Sequence, residues 1–255
     1  MRIVIKIGTS TLTYATGNMN LRRVEELCKV IADIKNAGNE VILVSSGAIA
    51  MGVGKLGLRE RPHDIAGKQA CAAVGQCELM YVYDRVFSDY NHTVAQILLT
   101  GEDLHDEKRY ENFSNTMSEL LRLGVLPVIN ENDTVSTGEI AVGDNDTLGA
   151  KVAVSVHADL LILLSDIDGL YTADPHKDNA AKLISRVEQI TPEIEALAGG
   201  SGTERGTGGM KTKLSAAKIC AAGNCETVIA NGATPAFLYR IVNGEDVGTR
   251  FCCGR

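Results

Sequence analysis

Tryptophan is absent from this chain of 255 residues, and aromatic residues make up only 4% of it. No apolar run approaches the roughly 20 residues that a membrane-spanning helix needs. The first eight residues form an apolar run that Lys6 interrupts, and they lack the long apolar segment of a secretory signal peptide. These absences predict a soluble protein of the cytoplasm that has no membrane partner.

Cysteines are present, but they lack the spacing of a metal site or of a disulfide framework. Their number is seven, which is odd, and no Cys-x-x-Cys pair occurs. Zinc sites and disulfide-rich folds depend on such regular spacing. We therefore expect reduced thiols that mostly fill core space, and no metal site built from protein ligands.

Positive charge is in deficit, because 25 Lys and Arg residues face 32 Asp and Glu residues, a formal net charge of −7. Nucleic acid is not an expected partner, since its phosphate backbone is held mostly by Lys and Arg. A single nucleotide is still compatible with this charge. One phosphate site needs only backbone amides and a few lysines.

Short apolar runs of strand length alternate with longer helical patterns. The strand-like runs are residues 2–7, 41–44, 94–99, 125–129, 160–164 and 227–230. The helical patterns cover residues 21–37, 70–88, 112–123, 145–157, 210–222 and 235–242, with Asn20 as the first N-cap and Gly38 and Gly124 as stop signals. Unbroken apolar strands joined by helices predict an α/β fold with a largely parallel sheet.

Polar loops follow four of the predicted strands. They are residues 8–10, 45–48, 130–134 and 165–169. Ligands of parallel α/β sheets bind at the carboxyl ends of the strands, and small residues there let backbone N–H groups approach an anion. Together the loops predict a broad site that holds an anion beside a polar partner.

Two basic features point to the same anion. Lys6 interrupts an apolar strand, which is costly unless the charge is paired or reaches a ligand; the alternative is an edge strand whose lysine faces solvent. Residues 206–213 form a glycine-rich loop that runs into a helix with Lys211 and Lys213 near its start. The helix dipole disfavours cations near the start of a helix unless an anion is bound there. The alternative for this loop is a solvated linker.

Two other motifs are weaker. Residues 52–57 fit Gly-x-Gly-x-x-Gly, but they do not follow their strand directly, and no acidic residue ends a second strand about 20 positions later. We interpret them as a loop over the part of the predicted site that holds the polar partner, the acceptor. The alternative is a dinucleotide site, which would make the protein an NAD-dependent oxidoreductase. Asp166 and Asp168 are spaced as in aspartyl-phosphate enzymes, without other support. The 206–213 loop is not a Walker A motif, because no Gly-Lys-Ser/Thr closes it.

Six motifs in the same order resemble those of the amino acid kinase family, and the resemblance covers essentially the whole chain. The matching stretches are residues 4–10, 44–50, 129–133, 142–146, 169–175 and 206–213. The resemblance implies a three-layer αβα sandwich with a central, mainly parallel sheet. It also implies one kinase domain over residues 1–255, in which residues 1–155 bind the acceptor and residues 156–255 bind the nucleotide.

The resemblance further implies an ATP-dependent phosphotransferase that acts on a carboxyl group. The loops at 130–133 and 143–146 are most similar to those of members that phosphorylate the side chain of free L-glutamate, the first step of proline biosynthesis. Mg²⁺ is then expected mainly on the ATP phosphates. Inhibition by proline and a dimeric or tetrameric assembly are further expectations. Many members carry a C-terminal PUA domain; this sequence stops at Arg255 without one, so functions tied to it are not expected.

Roles at single positions also follow from the resemblance. Lys6 and Lys213 would contact the transferring phosphate, and Asp146 would organise both lysines. The implied glutamate-binding residues are Ser46, Gly47, Asp133 and Asn145. The implied nucleotide-binding residues are Lys6, Ser165, Asp166, Tyr171, Asp174, Thr207, Gly208, Gly209, Met210, Lys211, Thr212 and Lys213. Lys211 stands where a small polar residue is expected, so it either adds a phosphate contact or faces solvent.

Members of the family differ in the acceptor that they phosphorylate. Family members also phosphorylate aspartate, acetylglutamate, carbamate, UMP and small phosphates. A phosphorylated acceptor would need extra Arg or Lys beside it, whereas these loops are rich in Asp, Asn and Glu, which suits a free α-ammonium group. Free glutamate is therefore preferred over aspartate and acetylglutamate. A sensor that binds ATP and glutamate without catalysis is the remaining alternative.

Overall fold

A computed structural model describes residues 1–14, 16, 18–136, 145–175, 177–178, 180–198 and 209–253. The strands are β1 (Arg2–Ile7), β2 (Glu40–Ser45), β3 (Val94–Leu99), β4 (Leu126–Glu131), β5 (Leu160–Ser165), β6 (Arg186–Val187), β7 (Glu226–Asn231) and β8 (Thr249–Phe251). The helices are α1 (Thr9–Leu12), α2 (Leu21–Asn36), α3 (Ala48–Lys55), α4 (Ile65–Ser88), α5 (Glu107–Arg122), α6 (Asn145–Ser155), α7 (Pro192–Leu197), α8 (Met210–Ala222) and α9 (Phe237–Val242).

The described strands form one sheet in the order β3-β4-β2-β1-β5-β7-β8-β6. Its pairings are parallel except that of β7 with β8, which is antiparallel. The first strand in sequence, β1, lies between β2 and β5. The predicted, mainly parallel sheet is confirmed.

Two apolar layers cover the two faces of this sheet. One contains Ile3, Ile5 and Ile7 of β1 with apolar side chains of α2, α4 and α9. The other contains Val4 of β1 with apolar side chains of α5, α6 and α8. Successive side chains of a strand point to opposite faces, so Lys6 lies on the same face as Val4. The three-layer αβα sandwich is confirmed, and its second helical layer is the one that meets Lys6.

The cap residues of α2 are those predicted from the sequence. The Asn20 side chain accepts a hydrogen bond from the backbone N–H of Arg23 at 3.2 Å, which satisfies one of the free donors of the first turn. After the helix, Gly38 has a φ of +91°, a left-handed conformation that glycine adopts without strain. The Asn20 cap at the start of α2 and the glycine after its end together set the length of this helix.

The interpretation of residues 52–57 as a loop is wrong, because α3 continues through Lys55. A Cβ atom on Gly52 would lie 1.8 Å from the carbonyl oxygen of Cys71. One on Gly75 would lie 1.8 Å from that of Ala48. Glycine at these positions lets the backbones of α3 and α4 touch. The glycine pattern therefore serves helix packing and is not a dinucleotide fingerprint.

Other elements begin earlier than predicted or were missed. Helix α4 starts at Ile65, where Asp64 caps it, and α5 starts at Glu107, where Asp106 caps it. The short elements α1, α3, α7, β6 and β8 are too brief for sequence periodicity to reveal. Among the helices of the described segments, none has the length and apolar character needed to cross a bilayer.

Candidate active site

The polar loops predicted to cooperate follow four adjacent strands, in the sheet order β4, β2, β1 and β5. Because these strands are parallel, their carboxyl ends meet at one edge of the sheet. The backbone N–H of Gly8 donates to the carbonyl of Leu164 at 3.3 Å, and that of Ser46 donates to the carbonyl of Ile7 at 3.1 Å. The loops therefore form one continuous site.

Three charged side chains meet behind this edge. Asp146 Oδ1 lies 2.7 Å from Lys6 Nζ, and Asp146 Oδ2 lies 3.0 Å from Lys213 Nζ. The three residues are 1%, 8% and 3% exposed, respectively. They come from α6, β1 and α8, so residues more than 200 positions apart converge. The structure thus brings together all three residues predicted to be catalytic, and it excludes the alternative of a solvent-facing Lys6 on an edge strand.

The Asp146 carboxyl is held in its charged form. Burial alone would raise its pKa, but the positive charges of Lys6 and Lys213 outweigh burial, and the pKa lies below its ordinary value. The hydroxyl of Thr212 lies 2.9 Å from the same Oδ2 atom. Asp146 also stands in the first turn of α6, where the helix dipole favours a negative charge.

Lys213 lies in the first turn of α8, which begins at Met210 after Gly209. A cation at this end of a helix is opposed by the helix dipole. Asp146 contacts the positive charges of both Lys6 and Lys213. Two lysines held together in this way suit a bound phosphate. Lys211, two residues earlier, is exposed.

Asn145 joins the loops on the acceptor side. Its Nδ2 donates to the carbonyl of Ser45 at 3.1 Å, to Ser46 Oγ at 2.9 Å and to Asn130 Oδ1 at 3.0 Å. Gly47, which follows, has a φ of +100° and turns the chain into α3. The structure therefore places the predicted residues Ser46, Gly47 and Asn145 side by side, and it adds Asn130, whose position in the 130–134 loop was the available signal.

A cavity of about 390 Å³ adjoins the end of β4. Its walls come from α3, α4, β3 and the loop after β4, and they are formed by Ala48, Ala72, Ala73, Gln76, Cys77, Met80, Gln96, Leu98, Glu131, Asn132, Asp133 and Thr134. Burial, together with the neighbouring charge of Glu131, raises the pKa of Asp133 to about 6, against a small opposing effect of Arg61. The predicted residue Asp133 thus lies in an acidic recess. Gln76 was missed because it falls within an ordinary helical pattern.

The predicted nucleotide residues lie around the ends of β5 and β7. The Ser165 hydroxyl donates to Asp166 at 3.1 Å. The Tyr171 hydroxyl and the Asn231 amide both donate to Asp168, at 3.1 Å and 2.8 Å. Asp168 belongs to the 165–169 loop of the predicted site, but neither it nor Asn231 was assigned a role; the position of Asn231 at the end of β7 was the available signal.

The remaining predicted nucleotide residues are only partly described. Asp174 lies 3.4 Å from Lys177 in an ion pair. Gly209 precedes α8, and Met210 is buried in its first turn. Thr207 and Gly208 fall outside the described residues, as do positions 142–144 of the predicted motif.

Metal-ligating side chains do not cluster in the described part of the chain, where no group of three or more His, Cys, Asp or Glu could hold an ion. Asp146, the buried carboxylate beside both lysines, already contacts them with its two oxygens. A Mg²⁺ ion that shares its shell with phosphate oxygens and water fits this arrangement, since Mg²⁺ usually keeps several waters.

The fold is similar to that of two solved kinase structures. A carbamate kinase from Giardia lamblia bound to AMP-PNP superposes with a TM-score of 0.69 at 20% identity, covering 99% of this chain and 98% of that one. A UMP kinase from Bacillus anthracis superposes with a TM-score of 0.65 at 17% identity, covering 100% and 96%. At such identities the likeness concerns the fold alone.

Comparison with sequences is more specific. A glutamate 5-kinase of Clostridium perfringens (strain 13 / Type A) is 54% identical over 254 residues, which cover 98% of this chain and 94% of the relative. One of Carboxydothermus hydrogenoformans is 57% identical over 251 residues, covering 98% of this chain and 67% of the relative. The profile of the amino acid kinase family matches residues 1–231. The chain therefore belongs to the amino acid kinase family.

Proposed function

We propose that the protein transfers the γ-phosphate of ATP to the side-chain carboxylate of L-glutamate, which gives glutamyl 5-phosphate and opens proline biosynthesis. The observation that carries the proposal is the buried Lys6–Asp146–Lys213 group directly beside the Ser46–Asn145 pair. Relatives 51–57% identical over nearly the whole chain are named glutamate 5-kinases, which supports the same reaction.

The chemistry asks little of a general base. A glutamate side chain has a pKa near ~4.3 in solution, so at neutral pH it is already an anionic nucleophile. The difficulty is to bring two anions together in line, which calls for fixed positive charge and precise positioning. Lys6 and Lys213 supply that charge at the transferring phosphoryl group, and Asp146 fixes the distance between them.

The two substrates divide the sheet edge between them. We place glutamate over the ends of β2 and β4, with Ser46, Gly47 and Asn145 around it, within the acceptor part at residues 1–155. ATP lies over the ends of β5 and β7, in the nucleotide part at residues 156–255. Ser165, Asp166, Tyr171 and the segment Gly209–Lys213 are its proposed contacts, with Asp174 nearby. Lys6 and Lys213 lie where the γ-phosphate of ATP meets the glutamate carboxylate.

Mg²⁺ accompanies ATP and neutralises phosphate charge when bound. We propose that the nucleotide and water supply most of its ligands. Inhibition by proline, a dimeric or tetrameric assembly and a cytoplasmic location stay predictions from the family resemblance.

The acidic recess favours an acceptor with a free ammonium group. Asp133 and Glu131 line it together, and a carboxylate pair attracts a cation and repels a second anion. Acetylglutamate has no such cation, and a nucleotide acceptor would bring more negative charge. We therefore place the α-ammonium group of glutamate against Asp133.

The decisive test of this function is glutamate-dependent ADP formation with hydroxylamine present, which traps an acyl phosphate as a hydroxamate. We expect one hydroxamate per ADP with glutamate, and at least tenfold lower kcat/KM with aspartate or acetylglutamate in parallel reactions. Binding of ATP and glutamate without ADP release would identify a sensor instead. Faster turnover of aspartate would refute the assignment of the acceptor.

The raised pKa of Asp133 predicts how pH affects glutamate use. Above pH 6 the carboxyl is charged and can bind an ammonium group; below it the proton competes. We expect kcat/KM for glutamate to fall about tenfold per pH unit below pH 6, since this parameter reports ionisation of the free enzyme. In Asp133→Asn the value should be low throughout and lack this step. An unchanged pH profile in the variant would remove Asp133 from ammonium binding.

A further inference from the structure

A relay of buried and half-buried amides links α4 to the acceptor side of the site. Gln76, which is 7% exposed, accepts a hydrogen bond at Oε1 from Asn130 Nδ2 at 2.8 Å. Asn130 Oδ1 in turn accepts from Asn145 Nδ2 at 3.0 Å and from the backbone N–H of Glu131 at 2.9 Å. Asn145 Nδ2 also donates to Ser46 Oγ at 2.9 Å.

The relay has a direction, and the backbone sets it. An amide oxygen can only accept and an amide nitrogen can only donate. Because the backbone N–H of Glu131 can only donate, Asn130 must turn its oxygen toward Glu131 and Asn145, and its nitrogen toward Gln76 Oε1 on α4. Asn145 must then present its nitrogen to Asn130 and Ser46, which leaves the Asn145 oxygen on the other side of its amide group.

Polarity at the end of the relay matches an amino-acid acceptor. Ser46 Oγ accepts from Asn145, so its own proton is available to donate to a carboxylate. The Asn145 oxygen is available to accept from an ammonium group. Without Gln76, the buried Nδ2 of Asn130 would lose its acceptor, and Asn130 would no longer be held in position against Asn145. An unmatched polar contact of this kind costs binding free energy.

We propose that Gln76 is a positioning residue that selects an amino-acid acceptor through Asn130 and Asn145, an inference that rests on the proposed function. It touches no reacting atom itself. Its role is to hold Asn130 in place, and through Asn130 the hydrogen-bonding groups that Asn145 and Ser46 present. The second polar atom of Gln76, Nε2, is buried without a hydrogen-bond partner in the described structure and lines the cavity beside Asp133.

The packing of α4 explains how Gln76 is kept in place. The adjacent residue, Gly75, lets α4 touch the backbone of Ala48, and a Cβ atom there would lie 1.8 Å from the Ala48 carbonyl oxygen. Ala48 is the first residue of α3, directly after Ser46 and Gly47. One tight contact therefore holds both ends of the relay, since Gln76 and Ser46 are each within two residues of it.

The test compares Gln76→Met, which keeps the length of the side chain and removes its polar atoms, with Gln189→Met. Gln189 is an exposed amide that belongs neither to the relay nor to the lining of the cavity. We expect Gln76→Met to raise KM for glutamate at least tenfold, with kcat and KM for ATP within about threefold of the wild type. Such a pattern reports lost binding of one substrate. Gln189→Met should leave all three parameters near wild type.

A double-mutant cycle separates positioning from general structural damage. In an Asn145→Ala background, Gln76→Met should raise KM for glutamate less than twofold further, because the relay is already broken. Multiplicative effects, a parallel rise in KM for ATP, or an unchanged KM for glutamate would each overturn the inference. If Gln76→Met does not fold, Gln76→Ala serves, since its lost volume opens onto the existing cavity. A wild-type protein that forms no glutamyl hydroxamate would instead refute the proposed function.

Discussion

Lys213→Ala is expected to lower kcat about 10²–10³-fold while KM for glutamate changes much less. The lysine is buried and lies 3.0 Å from Asp146, so its charge is held in place before the substrates bind. Charge that is fixed in a water-poor site stabilises the transition state far more than it stabilises bound substrate. Steady-state rates of ADP release at saturating ATP measure the effect.

Lys218→Ala is the matched control for this experiment. Lys218 lies on the same helix, is largely exposed and pairs with Glu195 on the surface. Its removal should change kcat less than twofold, because exposed ion pairs contribute little. Near wild-type turnover in Lys213→Ala would show that this lysine takes no part in the chemistry.

Asp146→Asn is expected to damage both stability and catalysis, although the side chain keeps its shape. The carboxylate that contacts Lys6 and Lys213 is lost, and two buried positive charges then face each other. Removing one member of a buried charge group typically costs about 3–5 kcal/mol of unfolding free energy. Because the lysines also lose their alignment, we expect kcat to fall at least 100-fold. Urea denaturation and ADP release measure the two effects.

The effect on stability should depend on pH and on nucleotide. The pKa of Asp146 is lowered in the folded protein, so its contribution is present above its ordinary value of 3.8 and is lost as pH falls further. The difference in unfolding free energy between the wild type and Asp146→Asn should therefore shrink in acid. A saturating nucleotide should also narrow it, because phosphate oxygens return negative charge to the lysines. A variant as stable as the wild type at neutral pH would contradict this account of the buried charges.

The sheet could be predicted from the sequence because its central strands have one dominant signal. Strands such as β1 and β5 are apolar on both faces, so an unbroken apolar run marks them. Lys6 stood out because a charge in such a run has few tolerable explanations. Alternation along β1 then explains why this lysine meets α6 and α8 rather than the opposite helical layer.

Features that depend on contacts between distant parts of the backbone could not be predicted from the sequence. The glycines at 52 and 75 belong to one interhelical contact, but Gly52 looks like a turn residue in isolation, so residues 52–57 were interpreted as a loop. Gln76 was overlooked for a similar reason. A buried amide is distinguished from an exposed one only by its hydrogen-bond partner, and those partners lie 54 residues apart. Long-range pairing of this kind leaves no local pattern.

The position of β1 in the middle of the sheet has a consequence for biosynthesis. This strand is translated before all the other strands described here, yet one of its two neighbours, β5, begins only at Leu160. Until that residue leaves the ribosome, one backbone edge of β1 has no partner, and apolar residues destined for the core are incompletely covered. Open strand edges invite association between unfinished chains. The nascent protein is therefore most exposed to aggregation while its first 160 residues are being made.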